Sequence, residues 1–154
     1  MRSVLLDTNL LVLLIVGLYD KNTIGIHKRT NTFTAEDYDL LLDSLVGYEI
    51  LWVTSHCLAE VSNLLKHTHR KQAEELLIIL RKFISDKNES HVQKDIIFSN
   101  SLLMRLGVAD TGIIIKSKRV SCVFTVDFDL YLEITKLGYN VVNFNHLRTQ
   151  MLLK

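Results

Sequence analysis

Apolar and polar positions alternate in a regular way along the chain. Ser3-Val4-Leu5-Leu6 is a short apolar run that stops abruptly at Asp7-Thr8-Asn9, the pattern of a buried strand. Glu49 to Thr54, with Ile50, Trp52 and Val53, predicts a second strand, and Val120 to Val126 and Tyr139 to Phe144 predict two more. Helical spacing recurs between them. Leu10 to Leu18 predicts a helix ending near Gly17, and Thr34-Ala-Glu-Asp37 predicts a capped start for a helix running to about Val46. Ser55 to about Lys66 and Lys71 to about Ser85 predict two further helices. His91 to Leu106 predicts one stopped by Gly107, and Val108 to Lys118 a short one after it. Phe128 to Leu137 predicts a helix closed by Gly138, with Lys136 in its last turn, and a short helix from Asn145 ends the chain. Tyr19 to Phe33 lacks periodicity and predicts an extended loop.

Strands alternating with helices imply an α/β fold with a central parallel sheet covered on both faces, built from about four to five strands. At 154 residues, without repeats or a linker, residues 1–154 are expected to form a single domain. Ligands in such folds bind beyond the carboxyl ends of the strands, where Asp7 and Asp127 both stand.

That rim draws attention to isolated acids. Asp7 closes the first strand, Glu60 interrupts an apolar helical pattern, Asp110 follows the Leu106-Gly107 break, and Asp127 closes the strand from Val120. Each has a bland alternative: a turn residue, a solvated helix face, or a helix N-cap. If the four converge, two carboxylates 4 Å apart repel by about 4 kcal/mol at an effective dielectric near 20, and a divalent cation cancels that repulsion. An all-oxygen donor set favours Mg²⁺ or Mn²⁺ over Zn²⁺. Such a centre suits phosphodiester hydrolysis, with Asp7 as the central ligand.

The formal charge of +1 does not announce a nucleic-acid binder, so that role must rest on local patches. Lys21, His27, Lys28 and Arg29 make one, and Lys66 to Lys71, including Arg70, make another; either suits a phosphate backbone. His67 and His69 read as exposed loop residues. Lys116, Lys118 and Arg119 read as surface charges. Cys57 and Cys122 lie in apolar contexts without zinc spacing, as buried thiols of a reducing compartment do. The apolar run Leu10 to Leu18 is well short of the roughly 20 residues that span a bilayer. With Asp7-Thr8-Asn9 before it, it is a poor signal sequence, and a cytoplasmic protein without a membrane segment is expected.

Four segments together resemble the PIN domain family: Leu5-Leu6-Asp7-Thr8-Asn9, Thr54-Ser55-His56-Cys57-Leu58-Ala59-Glu60-Val61, Leu106-Gly107-Val108-Ala109-Asp110-Thr111, and Phe124-Thr125-Val126-Asp127-Phe128-Asp129-Leu130. Gly138 to Phe144 resembles the family's last strand. The resemblance implies a three-layer α/β/α fold and a Mg²⁺- or Mn²⁺-dependent ribonuclease with Asp7, Glu60, Asp110 and Asp127 as catalytic metal ligands. It implies supporting roles for Asn9, which would steady the first Asp, and for the hydroxyls of Ser55 and Thr125. Asp129 stands as an extra acid, either close to the ligands or at a solvated helix start. Many PIN proteins are VapC-type toxins that cut RNA and are held by an antitoxin protein, and many form homodimers; both partners are implied in the same way. The chain is longer than that group through Tyr19 to Phe33 and the helices between Glu60 and Asp110.

Two rival readings carry different chemistry. A non-catalytic PIN module would bind RNA or a protein partner without needing all four acids. A phosphotransferase with an Asp nucleophile on the first strand usually has D-x-D, and here position 9 is Asn. No G-x-G-x-x-G or G-x-x-x-x-G-K-[ST] follows any strand, which disfavours a nucleotide-binding fold.

Overall fold

Five short strands make one sheet: β1 (Ser3–Leu6), β2 (Ile50–Thr54), β3 (Asn88–Ser90), β4 (Cys122–Thr125) and β5 (Val141–Asn143). Their order is β3-β2-β1-β4-β5 and every pairing is parallel, with Leu5 opposite both Trp52 and Val123. The computed structural model describes residues 1–154. Eight helices complete it: α1 (Thr8–Tyr19), α2 (Ala35–Leu45), α3 (Ser55–Leu65), α4 (Arg70–Ile84), α5 (Lys94–Phe98), α6 (Leu103–Ser117), α7 (Phe128–Lys136) and α8 (Phe144–Leu152).

Helix α1 packs against α2, α3 and α4, while α6 packs against α5 and α7. Crossovers between parallel strands are right-handed as a rule, so a strand order that turns back puts those two groups on opposite faces, giving three layers, α/β/α. The centre of the core is α1. Leu10 to Val16 are all at most 3% exposed, and a helix apolar all round belongs inside a protein. That burial explains the apolar run; no helix is long and apolar enough to cross a membrane.

The chain departs from its sequence pattern in four places. Gly17 does not stop α1, which runs on to Tyr19 and is closed at Asp20, whose N–H donates to the Val16 carbonyl. Gly17 instead admits the Tyr38 ring, which would lie 2.1 Å from a Cβ there. Tyr19 to Phe33 is tighter than an extended loop: a 3₁₀ turn at Lys21–Thr23 leads into segments that bury Ile24, His27 and Thr30. The expected helix over His91 to Leu106 breaks into α5 and the start of α6, because Asn100 forms a turn by accepting from the Leu102 N–H. Strand β3 gave no signal, since Asn88-Glu89-Ser90 is a polar edge strand of three residues.

The strand order reverses between β1 and β4. Adjacent connections leave that point in opposite directions, so a crevice opens at the carboxyl ends of those two strands. Asp7 follows β1 directly, and Asp127 follows β4 after Val126.

Candidate active site

Asp7 and Asp127 are joined through one buried hydroxyl. Thr125 Oγ1 donates to Asp7 Oδ2 at 2.6 Å and accepts from the Asp127 N–H at 2.9 Å. The Val126 N–H donates to the same Asp7 oxygen at 2.8 Å. Asp7 Oδ1 caps α1 by accepting from the Leu10 N–H at 2.9 Å, and Asp127 Oδ1 caps α7 by accepting from Leu130 N–H at 2.9 Å. The two acids are therefore N-caps and rim residues at once: each sits at the positive end of a helix, aimed at the switch-point crevice.

Asp7 is only 4% exposed. Burial raises its pKa more than the Thr125, Leu10 and Val126 hydrogen bonds lower it, and the nearby Asp127 charge raises it further. A carboxylate has about four lone-pair sites. Three on Asp7 are occupied, which leaves one, on Oδ1, for a ligand. A single free site suits a terminal ligand better than a bridge between two ions.

Asp110 is delivered by a break in α6. Gly107 has φ 83° and ψ 178°, so the helix restarts after it and Asp110 falls in the first turn of the new segment. Its pKa is pushed up to about 7, first by burial and then by the charges of Asp127, Asp7 and Glu60. Glu60 lies on the exposed side of α3, whose contact with α6 passes by His56 and Gly112. Asp110 thus feels the charges of the other three acids. No three His, Cys, Asp or Glu side chains stand close enough together to enclose an ion as folded. The field reaches further than ligation does, and both facts hold.

Two hydroxyls beside these acids have no partner. Thr8 Oγ1 and Thr111 Oγ1, next in sequence to Asp7 and Asp110, are buried without a hydrogen bond. Thr8 lies against the Cys57 thiol, yet the contact lacks hydrogen-bond geometry. Burial first, then the Asp7 and Asp110 charges, push the Cys57 thiol up to about 11, so it is inert.

The supporting residues divide. Thr125 holds Asp7 directly. Asn9 supplies none of the three bonds to Asp7; it is exposed and faces a cavity of about 230 Å³ shared with Arg29, Asn145 and Arg148. Ser55 Oγ meets His91 Nδ1 at 2.6 Å. Asp129 faces away toward Arg105, 3.6 Å distant, as a solvated helix start does.

The two basic segments meet. Arg29 Nε donates to His67 Nδ1 at 2.7 Å, and His27 Nε2 lies 3.3 Å from the Leu65 carbonyl. Burial and the charges of Arg29, Lys28 and His27 lower the His67 pKa, the direction that suits a ring nitrogen accepting from Arg29. Lys28 and Lys71 are exposed, and Arg70 pairs with Glu74. Arg148 was not singled out by sequence. It comes from α8, ion-pairs with Asp37 at 3.0 Å and donates to the Thr32 carbonyl at 2.9 Å, tying the segment that carries Arg29 to the last helix. No local pattern marks such a long-range clamp. No protein-family model matches the chain, and no curated protein matches it.

Proposed function

We infer that the chain is a Mg²⁺- or Mn²⁺-dependent endoribonuclease that hydrolyses RNA phosphodiester bonds. The observation that carries this reading is the Asp7–Thr125–Asp127 relay across the switch point, with Asp110 held in the same negative field. Asp7, Glu60, Asp110 and Asp127 would hold the ion, which would supply a water of lowered pKa and neutralise charge on the phosphate. Thr125 keeps the Asp7 carboxylate oriented. The helix N-termini behind Asp7 and Asp127 stabilise negative charge at the rim. Arg29, with Lys28 beside it, offers guanidinium donors for the phosphate backbone at the Asn9 cavity, held in place by the Arg148 clamp. The PIN resemblance supports this reading and extends it to a toxin restrained by an antitoxin protein, and to a homodimer.

A non-catalytic PIN module that binds RNA or a protein is the second reading. It is favoured by one observation: the acids do not enclose an ion as folded. Cleavage separates the two. Labelled single-stranded RNAs, tRNAs and single-stranded DNAs are incubated with the wild type and Asp7→Asn in Mg²⁺, Mn²⁺ or EDTA. The nuclease reading expects metal-dependent RNA cutting that Asp7→Asn abolishes. Binding without cutting under every metal condition supports the module.

A further inference from the structure

We propose that a cleft beside Trp52, on the sheet face that carries α6, holds a nucleotide of single-stranded RNA by stacking its base on the indole and pairing its phosphate with Lys116 and Arg119. Leu5, Trp52 and Thr54 point to one face of neighbouring strands, and Ser90 is opposite Thr54 on β3. The end of α6 and the turn after it cover that face only in part. A cavity of about 270 Å³ remains, walled by Trp52, Thr54, Ser90, Lys116 and Arg119. A second, of about 440 Å³, shares Lys116 and Arg119 with it and adds His91, Gln93 and Lys118. Small-ligand sites commonly enclose roughly 300–1,000 Å³.

The charge in this cleft is unopposed. None of Lys116, Lys118 and Arg119 pairs with a carboxylate, whereas seven of the eighteen Lys and Arg side chains do. The C-terminus of α6 favours a cation in its last turn, which accounts for Lys116. It does not account for Arg119, beyond the helix, or for an indole with neither an aromatic nor a cationic neighbour over it. Trp52 is half-buried against the core and lends its remaining surface to the cavity wall; aromatic surface flanked by unpaired cations is the arrangement that holds single-stranded nucleic acid without reading its sequence. The cleft's lining reaches Thr54 and Ser90, the last residues of β2 and β3, at the same carboxyl-end side of the sheet as Asp7 and Asp127. The inference rests on the ribonuclease reading in taking RNA as occupant; its test does not require cleavage.

Trp52 is the only tryptophan, so fluorescence excited beyond the absorption of the five tyrosines reports on this cleft. A short oligouridylate is titrated into the full chain in EDTA at low salt. The expected result is saturable quenching that the double variant Lys116→Glu/Arg119→Glu weakens by roughly tenfold or more, with the slope of log affinity against log salt falling by roughly two. Far-UV circular dichroism checks that the variant is folded, and Lys116→Gln/Arg119→Gln repeats the test without reversed charge. Unchanged fluorescence, or quenching with the same midpoint in both folded variants, overturns the cleft. So does an acidic peptide that quenches where RNA does not. RNA binding here without cutting under any metal condition sinks the nuclease alone, and cutting without quenching sinks the cleft alone.

Discussion

Asp110 holds its proton far more tightly in the fold than an unfolded carboxyl does, with its pKa pushed from 3.8 to about 7 by burial and by three neighbouring acids. A raised folded pKa means that the folded state binds the extra proton. The stability this gives is complete below about pH 4 and is lost as pH climbs through 7. Asp110→Asn removes the charge and keeps the shape. In EDTA at pH 8 it is expected to stabilise the fold by about 1–2 kcal/mol, a figure discounted from about 1.4 kcal/mol per pKa unit because the side chain is partly solvated. At pH 4 the difference should vanish, and urea melts at the two pH values check this. An equal effect at both would mean that Asp110 carries no unfavourable charge. Thr125→Val is the converse, since it leaves a buried Asp7 oxygen and the Asp127 N–H each short of a partner. A cost of about 2 kcal/mol is expected, with loss of RNA cutting in excess of the loss of fold. Sequence made Asp7 and Asp127 legible because each ends an apolar run. It made neither Thr8 nor Thr111 legible, because a missing partner is a property of the packed state.

Among the elements, α6 shows what sequence reads well and what it does not. The Gly107 break was visible as punctuation, and it stands, with φ 83° and ψ 178°, in a region of backbone space open almost only to glycine. The turn at Asn100 was invisible because it competes with a continuous helical pattern over short range. A Cβ at Gly107 meets nothing within 4 Å, so Gly107→Ala tests conformation without collision. It is expected to cost about 1–3 kcal/mol and to misdirect Asp110, lowering cleavage further than stability predicts. Gly25, also open and with no positive φ, supplies the control: Gly25→Ala should change the urea midpoint little. Equal effects at the two glycines would show that Gly107 does not aim Asp110. The strands with apolar residues were legible and the polar one was not. The buried β1 was read to the residue and the buried β4 with overhangs of two residues and one, while β3 was missed because its two exposed residues carry no apolar signal.

At the scale of the whole molecule, the fold places acids together faster than it neutralises them. The switch point brings Asp7 and Asp127 to one crevice, α3 and α6 add Glu60 and Asp110, and the summed repulsion is a cost the free chain escapes on unfolding. An ion that binds only the folded state reverses this by about 2.7 kcal/mol at a hundredfold excess over its dissociation constant. Thermal melts in Mn²⁺ or Mg²⁺ are therefore expected to lie above those in EDTA. The gap should widen from pH 6 to pH 8, because Asp110 must give up a proton to act as a ligand and holds it below about 7. Asp7→Asn should close most of the gap at either pH. Lys116→Gln, on the far side of the sheet rim, should leave it unchanged. Ca²⁺ separates charge screening from ligation: an equal rise with Ca²⁺ and Mn²⁺ and no loss in Asp7→Asn would mean that the acids form a diffuse negative surface. A rise specific to the smaller ions, pH-dependent and tied to Asp7, would mean that the side chains close around an ion they do not enclose without it.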